Sequence, residues 1–428
     1  MVAYHCPVRT GGWRIAPPPI GTSGIAQSAS ILAALAVGLT AMSSAARAAE
    51  PDAAAWSWSA DQEFRYASWS GTRGFPASGS PAAGSGAQVY APLTLQLTGQ
   101  PLESAKLELT ARSGYVGSRQ STPELTGTVA TATDTVVSGT ATWLGIAGIQ
   151  PFVSLTMNLP TGQAALYGSA ANARMDSDIV DLATFGEGLN VGPTVGVNIP
   201  FTETLMLTLS SGYTWRGAYH TEGLIDPDTL EQPFRHSAPG RVATQSLSLG
   251  YQSGNWMLQV SSSYTHETVT YVDFTPSYAM GDRYLVSGTA AYAWTPSSRT
   301  TLTATWTNAA RNRVLDPDLP MIVPEAFLSN SAVYRTRLEH ALAFGAWSVA
   351  PMANYMLRDH NAYNPATYQF IAAKTRIGTG ISTQVSVNDK VALKASAEHF
   401  WIKENSTALT PDLRVQGWIA MVGGSVNF

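Results

Sequence analysis

Over residues 56–428, apolar and polar side chains alternate with a period of two. That is the repeat of a β-strand, whose neighbouring side chains point to opposite faces. Leu205, Leu207 and Leu209 share a face that runs on to Tyr213 and Trp215. In residues 301–307 one face is all threonine, and the other carries Leu302, Ala304 and Trp306. Ser246, Ser248 and Gly250 alternate with Leu247, Leu249 and Tyr251, and Lys106, Glu108, Thr110 and Arg112 with Leu107, Leu109 and Ala111. One face is therefore apolar and often ends in Trp or Tyr, while the other is polar and small. A soluble β-sandwich alternates in the same way, so the period alone leaves open which solvent each face meets.

The connections sharpen the picture. Short turns are read at 99–103, 145–148, 200–203, 253–255, 295–298, 345 and 388–389. Long loops are read near 69–86, 114–127, 158–189, 216–240, 272–281, 310–330, 359–367 and 403–412. Short and long alternate strictly, which predicts about sixteen antiparallel strands with both ends of the chain on the short-turn side. Residues 120–144 read either as one long strand or as a strand and part of a loop, and twelve or fourteen strands follow from other parsings. Aromatic residues at strand ends suit a bilayer interface. In lipid an open sheet edge leaves N–H and C=O groups without partners, so the sheet must close. The fold class predicted is all-β, a transmembrane antiparallel up-and-down β-barrel, wide enough at about sixteen strands to hold water.

Composition agrees. Charged residues are 13% of the chain, against roughly 25% in soluble globular proteins, and aromatics reach 10% with 12 Trp and 17 Tyr. Past the first fifty residues no apolar run is long enough for a spanning helix. The net charge of −4, with no basic run, excludes a nucleic-acid partner. Residues 31–42 form a short apolar segment followed by Ala46-Arg47-Ala48, with Arg9 and Arg14 before it. This pattern predicts residues 1–48 as a cleaved export signal with a long n-region, or a start codon placed too early, and 49–428 as a single barrel domain. The one cysteine, Cys6, precedes the cleavage point, so the mature chain has no disulfide, thiolate metal site or cysteine catalysis.

The last strand places Trp418, Ala420, Val422, Gly424, Val426 and Phe428 on one face and ends on an aromatic carboxy-terminus. This ending resembles the terminal recognition signal of bacterial outer-membrane barrels. The resemblance implies an outer-membrane address, contact with lipopolysaccharide, and recognition by the barrel-assembly machinery through Trp418, Val426 and Phe428. The third and longest loop, within residues 158–189, carries Asp176, Asp178, Asp181 and Glu187. The polar face of the strands diametrically opposite carries Arg335, Arg337, Glu339 and Arg358, with Lys374 and Arg376 following. Folded inward, the loop sets acids against bases across the lumen, a transverse field that orients polar solutes. That arrangement resembles the constriction of general porins and implies a channel for passive or substrate-selective passage of small solutes. The alternative is an acidic loop facing the medium, with the bases solvated or paired along the wall.

A second resemblance competes. Residues 155–162 (LTMNLPTG) followed by 186–193 (GEGLNVGP) are similar to a pattern in outer-membrane barrels of the meta-pathway phenol-degradation group, although Gln163 stands where that group more often has an acid. It implies import of apolar or aromatic compounds. An autotransporter-like translocator or structural outer-membrane protein is a third reading. Asp226-Pro227-Asp228 and Asp316-Pro317-Asp318 read as turn formers, with a shared Ca²⁺ as the rarer alternative. The seven histidines show no ligand spacing, and no nucleophile–base pair, phosphate loop or nucleophile elbow is present. The chain is thus read as a non-enzyme with no cofactor and no metal, its oligomeric state left open.

Overall fold

The computed structural model describes residues 56–72, 83–122, 125–223, 232–316, 318–319, 321–408 and 412–428. The predicted export signal and its Cys6 lie outside the described residues. Sixteen strands run in chain order: β1 (Ser57–Thr72), β2 (Ala83–Leu102), β3 (Ala105–Ser121), β4 (Thr135–Trp143), β5 (Gln150–Leu159), β6 (Asn190–Pro200), β7 (Leu205–Arg216) and β8 (Val242–Ser253). They continue as β9 (Trp256–Glu267), β10 (Arg283–Thr295), β11 (Ser298–Ala309), β12 (Val333–Phe344), β13 (Trp347–Arg358), β14 (Lys374–Ser386), β15 (Val391–Glu404) and β16 (Leu413–Asn427). Each pairs antiparallel with its sequence neighbours, and β1 pairs with β16 from Ser59↔Asn427 to Gly71↔Val415. The sheet therefore has no edge, and the sixteen-strand reading holds.

The two faces divide as the alternation requires. Trp256 faces Tyr292 across the β9–β10 pair near the short turns, and Tyr264 faces Tyr284 near the long loops. The rings sit 4.7 Å and 5.4 Å apart. Eight residues separate the two aromatic levels, about 26 Å along the strand, which barrel tilt brings to roughly 20 Å of height. Between them lie outward Leu258, Val260, Val286, Leu302 and Leu338. Two aromatic girdles bounding an apolar band are what a bilayer demands of a barrel wall. At the short-turn end Phe428 packs on Trp58, with ring centroids 5.7 Å apart, so both ends of the described chain meet there.

The long-loop end is more built up than the alternation suggested. Residues 216–240, 272–281 and 310–330, read as loops, contain strands. Tyr219–Glu222, Phe234–Ala238, Thr270–Val272, Thr275–Ala279, Arg313–Leu315 and Ile322–Pro324 form a separate six-stranded rim sheet that continues six barrel strands beyond a kink. Gly240 and Gly281 sit at that kink against the carbonyls of Thr268 and Ala310, so closely that any Cβ would collide with them. Such approach is open only to glycine. On the other side of the rim, β2 and β3 continue past the expected loop positions, and Thr126–Ala132 pairs with the top of β3. The ambiguous 120–144 region is therefore two strands, broken at Thr133 and Asp134.

Candidate functional site

The 160–189 loop leaves the end of β5 and folds inside the barrel. Asp134, in the break before β4, draws its two ends together. The Asp134 carboxylate accepts the N–H of Gly162 at 2.9 Å, the N–H of Glu187 at 2.6 Å and the Asn158 amide at 2.7 Å. Gly162 presses on the Phe185 carbonyl with no room for a Cβ, so the neck closes only with glycine there.

Beyond the neck the loop lies against the tall β2–β3 wall. Leu166, Ala173 and Phe185 are buried with Tyr90, Val116 and Val129. Ser118 Oγ donates to the Ala173 carbonyl at 2.7 Å, and the Gln88 amide to the Leu182 carbonyl at 2.9 Å. Farther on, Met175, Ile179 and Val180 pack on Ala67, Trp69, Phe400, Ile402 and Val415. Every one of those wall residues is on the lumen face, which elsewhere is Ser- and Thr-rich. They are apolar because the loop, and not water, covers them.

The tip sits on bases. Lys374 Nζ is 2.5 Å from Asp176 and 3.1 Å from Asp178. Arg335 and Arg358 reach Asp178 at 3.2 Å and 3.8 Å. Arg65 donates to Asp181 at 2.8 Å and to Glu63 at 2.6 Å. Asp178 thus answers to three cations, and it lies on the wall that carries them. The sequence reading set acids and bases apart across water. In the structure the tip spans the lumen and the two sets are in contact.

Six of the nine charges named from sequence meet in this way: Asp176, Asp178, Asp181, Arg335, Arg358 and Lys374. The other three stand apart from the tip contacts. Glu187 is at the neck, hydrogen-bonded by Asn190 at 3.3 Å and 4.0 Å from Arg216. Arg337 bonds Glu339 on its own strand at 2.7 Å. Arg376 bonds Glu398 at 2.6 Å and lies over the Phe400 ring. Sequence reasoning missed Arg65, Glu63, Asp134, Glu398 and Glu404, the last lying 3.4 Å from Arg358 and 3.6 Å from Lys374. For Arg65 and Glu63 the signal was available, because both fall on the polar face of β1. Asp134 was hidden in the stretch whose strand boundaries were ambiguous.

Between the tip and the wall that runs from β11 through β16 to β1 is a cavity of 540 Å³, lined by Asp178, Asp181, Thr303, Thr305, Arg335 and Arg337 among others. Near the neck, the Arg174–Glu222 ion pair ties the loop to the rim sheet, and burial, with the Glu187 carboxylate nearby, pushes the Tyr219 phenol up to about 12.

The remaining motifs resolve locally. Asp316 accepts the N–H groups of Asp318 and Leu319 at 2.8 Å and 3.1 Å, closing a turn, while Asp226-Pro227-Asp228 lies outside the described residues. His266 is at the loop end of β9 and meets Asp282 at 2.7 Å. Strand pairing brings His220 opposite His236 on the rim sheet, rings 6.0 Å apart, a juxtaposition that sequence spacing did not show.

No family model matches this chain, and no curated protein matches it. Among solved structures it is similar to a bacterial polysaccharide outer-membrane secretin at 11% identity and TM-score 0.40, covering 86% of this chain and 98% of that one. It is similar to an outer-membrane channel from Pseudomonas putida F1 at 10% identity and TM-score 0.38, covering 89% and 100%. A Rhodopseudomonas blastica porin triple mutant matches at 12% identity and TM-score 0.34, covering 88% and 100%. The geometry of the chain itself defines its class: a closed sixteen-stranded membrane-spanning β-barrel with short turns at one end, long loops at the other and an apolar belt between two girdles.

Proposed function

We propose that this barrel is a diffusion channel for small solutes, narrowed by its own 160–189 loop. The observation that carries the reading is the placement of that loop. It enters a closed barrel, is fastened at its neck and tip, and leaves a water-accessible space against the wall from β11 through β16 to β1. The lumen face of β8–β11 offers hydroxyls, among them Ser246, Ser248, Thr301, Thr303 and Thr305. Such a face hydrates polar solutes without holding them tightly, which passage requires. The purified protein in a planar bilayer is expected to give stepwise currents of uniform size. Silence over a wide range of protein concentrations, with the barrel intact, refutes it.

In this reading the outer girdle residues contact lipid and lipopolysaccharide, and the last strand is read by the barrel-assembly machinery. Phe428 continues the closing strand, pairs through its backbone with Trp58 of the first and packs its ring at a tilt against the indole. Deleting Phe428 is expected to cut the yield of assembled barrel severalfold, measured as the fraction of unboiled protein that migrates faster than boiled protein on a denaturing gel. An undiminished fraction argues against a role for the terminal aromatic.

A further inference from the structure

We infer that the constriction selects organic anions, meaning solutes with a carboxylate- or phosphate-like head on a short apolar body. The inference deepens the channel reading and rests on it.

The argument begins with which member of each ion pair meets the water. Formal charges around the cavity nearly cancel: Arg65, Arg335, Arg337 and Arg376 against Asp178, Asp181 and Glu398. Exposure does not cancel. The Asp178 side chain is 8% exposed, while Arg335 above it is 50% exposed. Glu63 is 11% exposed beneath Arg65 at 36%. Arg337 is 48% exposed, against 29% for Glu339. Arg376 and Glu398 are both largely covered. Asp181, at 46%, is the lining acid that stands in the open, and Arg65 holds it. Asp181 apart, the carboxylates are sunk into the wall beneath the guanidinium groups that hold them. At Arg335 and Arg337 a solute passing the tip therefore meets guanidinium N–H groups first.

Those groups are arranged as a receptor. Arg335 and Arg337 are two residues apart on β12, so both face the lumen. Across the β11–β12 ladder Thr305 is paired with Arg335 and Thr303 with Arg337. Arg335 and Arg337 each give only one terminal nitrogen, Nη2, to an acid, which leaves further N–H donors of each fork for a ligand. Two forks beside two hydroxyls, close to apolar wall, fit an oxyanion better than a cation or a neutral sugar. Apolar side chains also line the cavity, Met352, Ile419 and Met421 from the barrel and Ile179 and Val180 from the loop, interspersed with Asn354, Ser382 and Ser396. A hydrated halide uses only the first half of this surface. A short fatty or aromatic carboxylate uses both.

Currents across a potassium chloride gradient test the charge preference, and added sodium hexanoate or sodium acetate tests the apolar half. The expected result is a chloride-over-potassium permeability ratio of about three or more. Hexanoate should reduce chloride current at concentrations roughly tenfold below those acetate needs, as four buried methylenes allow. The Arg335→Gln/Arg337→Gln double variant should lose both effects. The Arg335→Lys/Arg337→Lys double variant should keep the chloride preference, which shows that the lost effect was charge and not a collapsed loop. Cation preference, or anion preference untouched by the glutamine variant, overturns the inference while leaving the channel standing. Equal action of hexanoate and acetate overturns its apolar half. A silent bilayer overturns the channel reading and this inference with it.

Discussion

Replacing Lys374 with alanine raises single-channel conductance roughly twofold or more, because the loop tip no longer stays docked in the lumen. Lys374 is buried, and its ammonium lies within bonding distance of both Asp176 and Asp178. Removing it leaves two neighbouring carboxylates in a covered site with one shared cation fewer. The cost is at most about 3–5 kcal/mol, the figure for a buried charge left wholly without a partner. Arg335 and Arg358 still reach Asp178, so the tip loses part of its hold and not all of it. The apolar patch under Met175, Ile179 and Val180 holds the loop in part, so current noise should rise together with mean conductance. Lys374→Arg, which restores the charge, should return conductance toward the original value. Unchanged conductance in a heat-modifiable Lys374→Ala barrel would mean that the tip does not limit the pore.

The second large effect is on the wall. Val260 lies midway between Trp256 and Tyr264 on β9 and faces outward. Val260→Arg places a guanidinium at the level of the hydrocarbon midplane, at a cost of about 2–4 kcal/mol. Its neighbour Gln259 faces the lumen, where its amide donates to Ser248 Oγ at 3.3 Å, and Gln259→Arg leaves the new charge in water. The first variant should lose most of its heat-modifiable fraction in lipid or detergent, and the second should keep it. Equal behaviour of the two variants would remove the basis for an outward apolar belt. The pair is adjacent in sequence, so the contrast isolates the face and not the region.

Much of the barrel was legible because a strand's two faces are written one residue at a time. The seven short turns, the strict alternation of short and long connections, and the all-threonine face of β11 each follow from local chemistry. The rim sheet was not legible. Its strands are three to five residues long, too short for period two to declare itself, and they exist because glycines let neighbouring backbones kink together. The split at Thr133–Asp134 escaped for a related reason: alternation continues across it, and only the ladder to β3 shows the change of partner.

The charges divide the same way. Sequence placed acids on the third long loop and bases on the twelfth to fourteenth strands, and the count of strands set them opposite one another. It did not show that the tip touches the bases, that Asp134 ties the neck, or that Arg65 holds Asp181 across 116 residues of chain. One clue was present and unused: Tyr90, Val116, Phe400 and Ile402 are apolar residues on a face that elsewhere favours water. An apolar side chain on a wet face reports a partner, but it does not say which segment that partner is.

The sequence alone therefore determined the solvent on either side of the wall, the approximate strand number and the sign of the charges on loop and wall, since each depends on side-chain type at a fixed spacing. Only the tertiary structure decided that the loop enters the lumen and that its acids end up beneath guanidinium groups. Those outcomes depend on distances between residues far apart in the chain, which close only when β16 meets β1 and fixes where every strand stands around the ring.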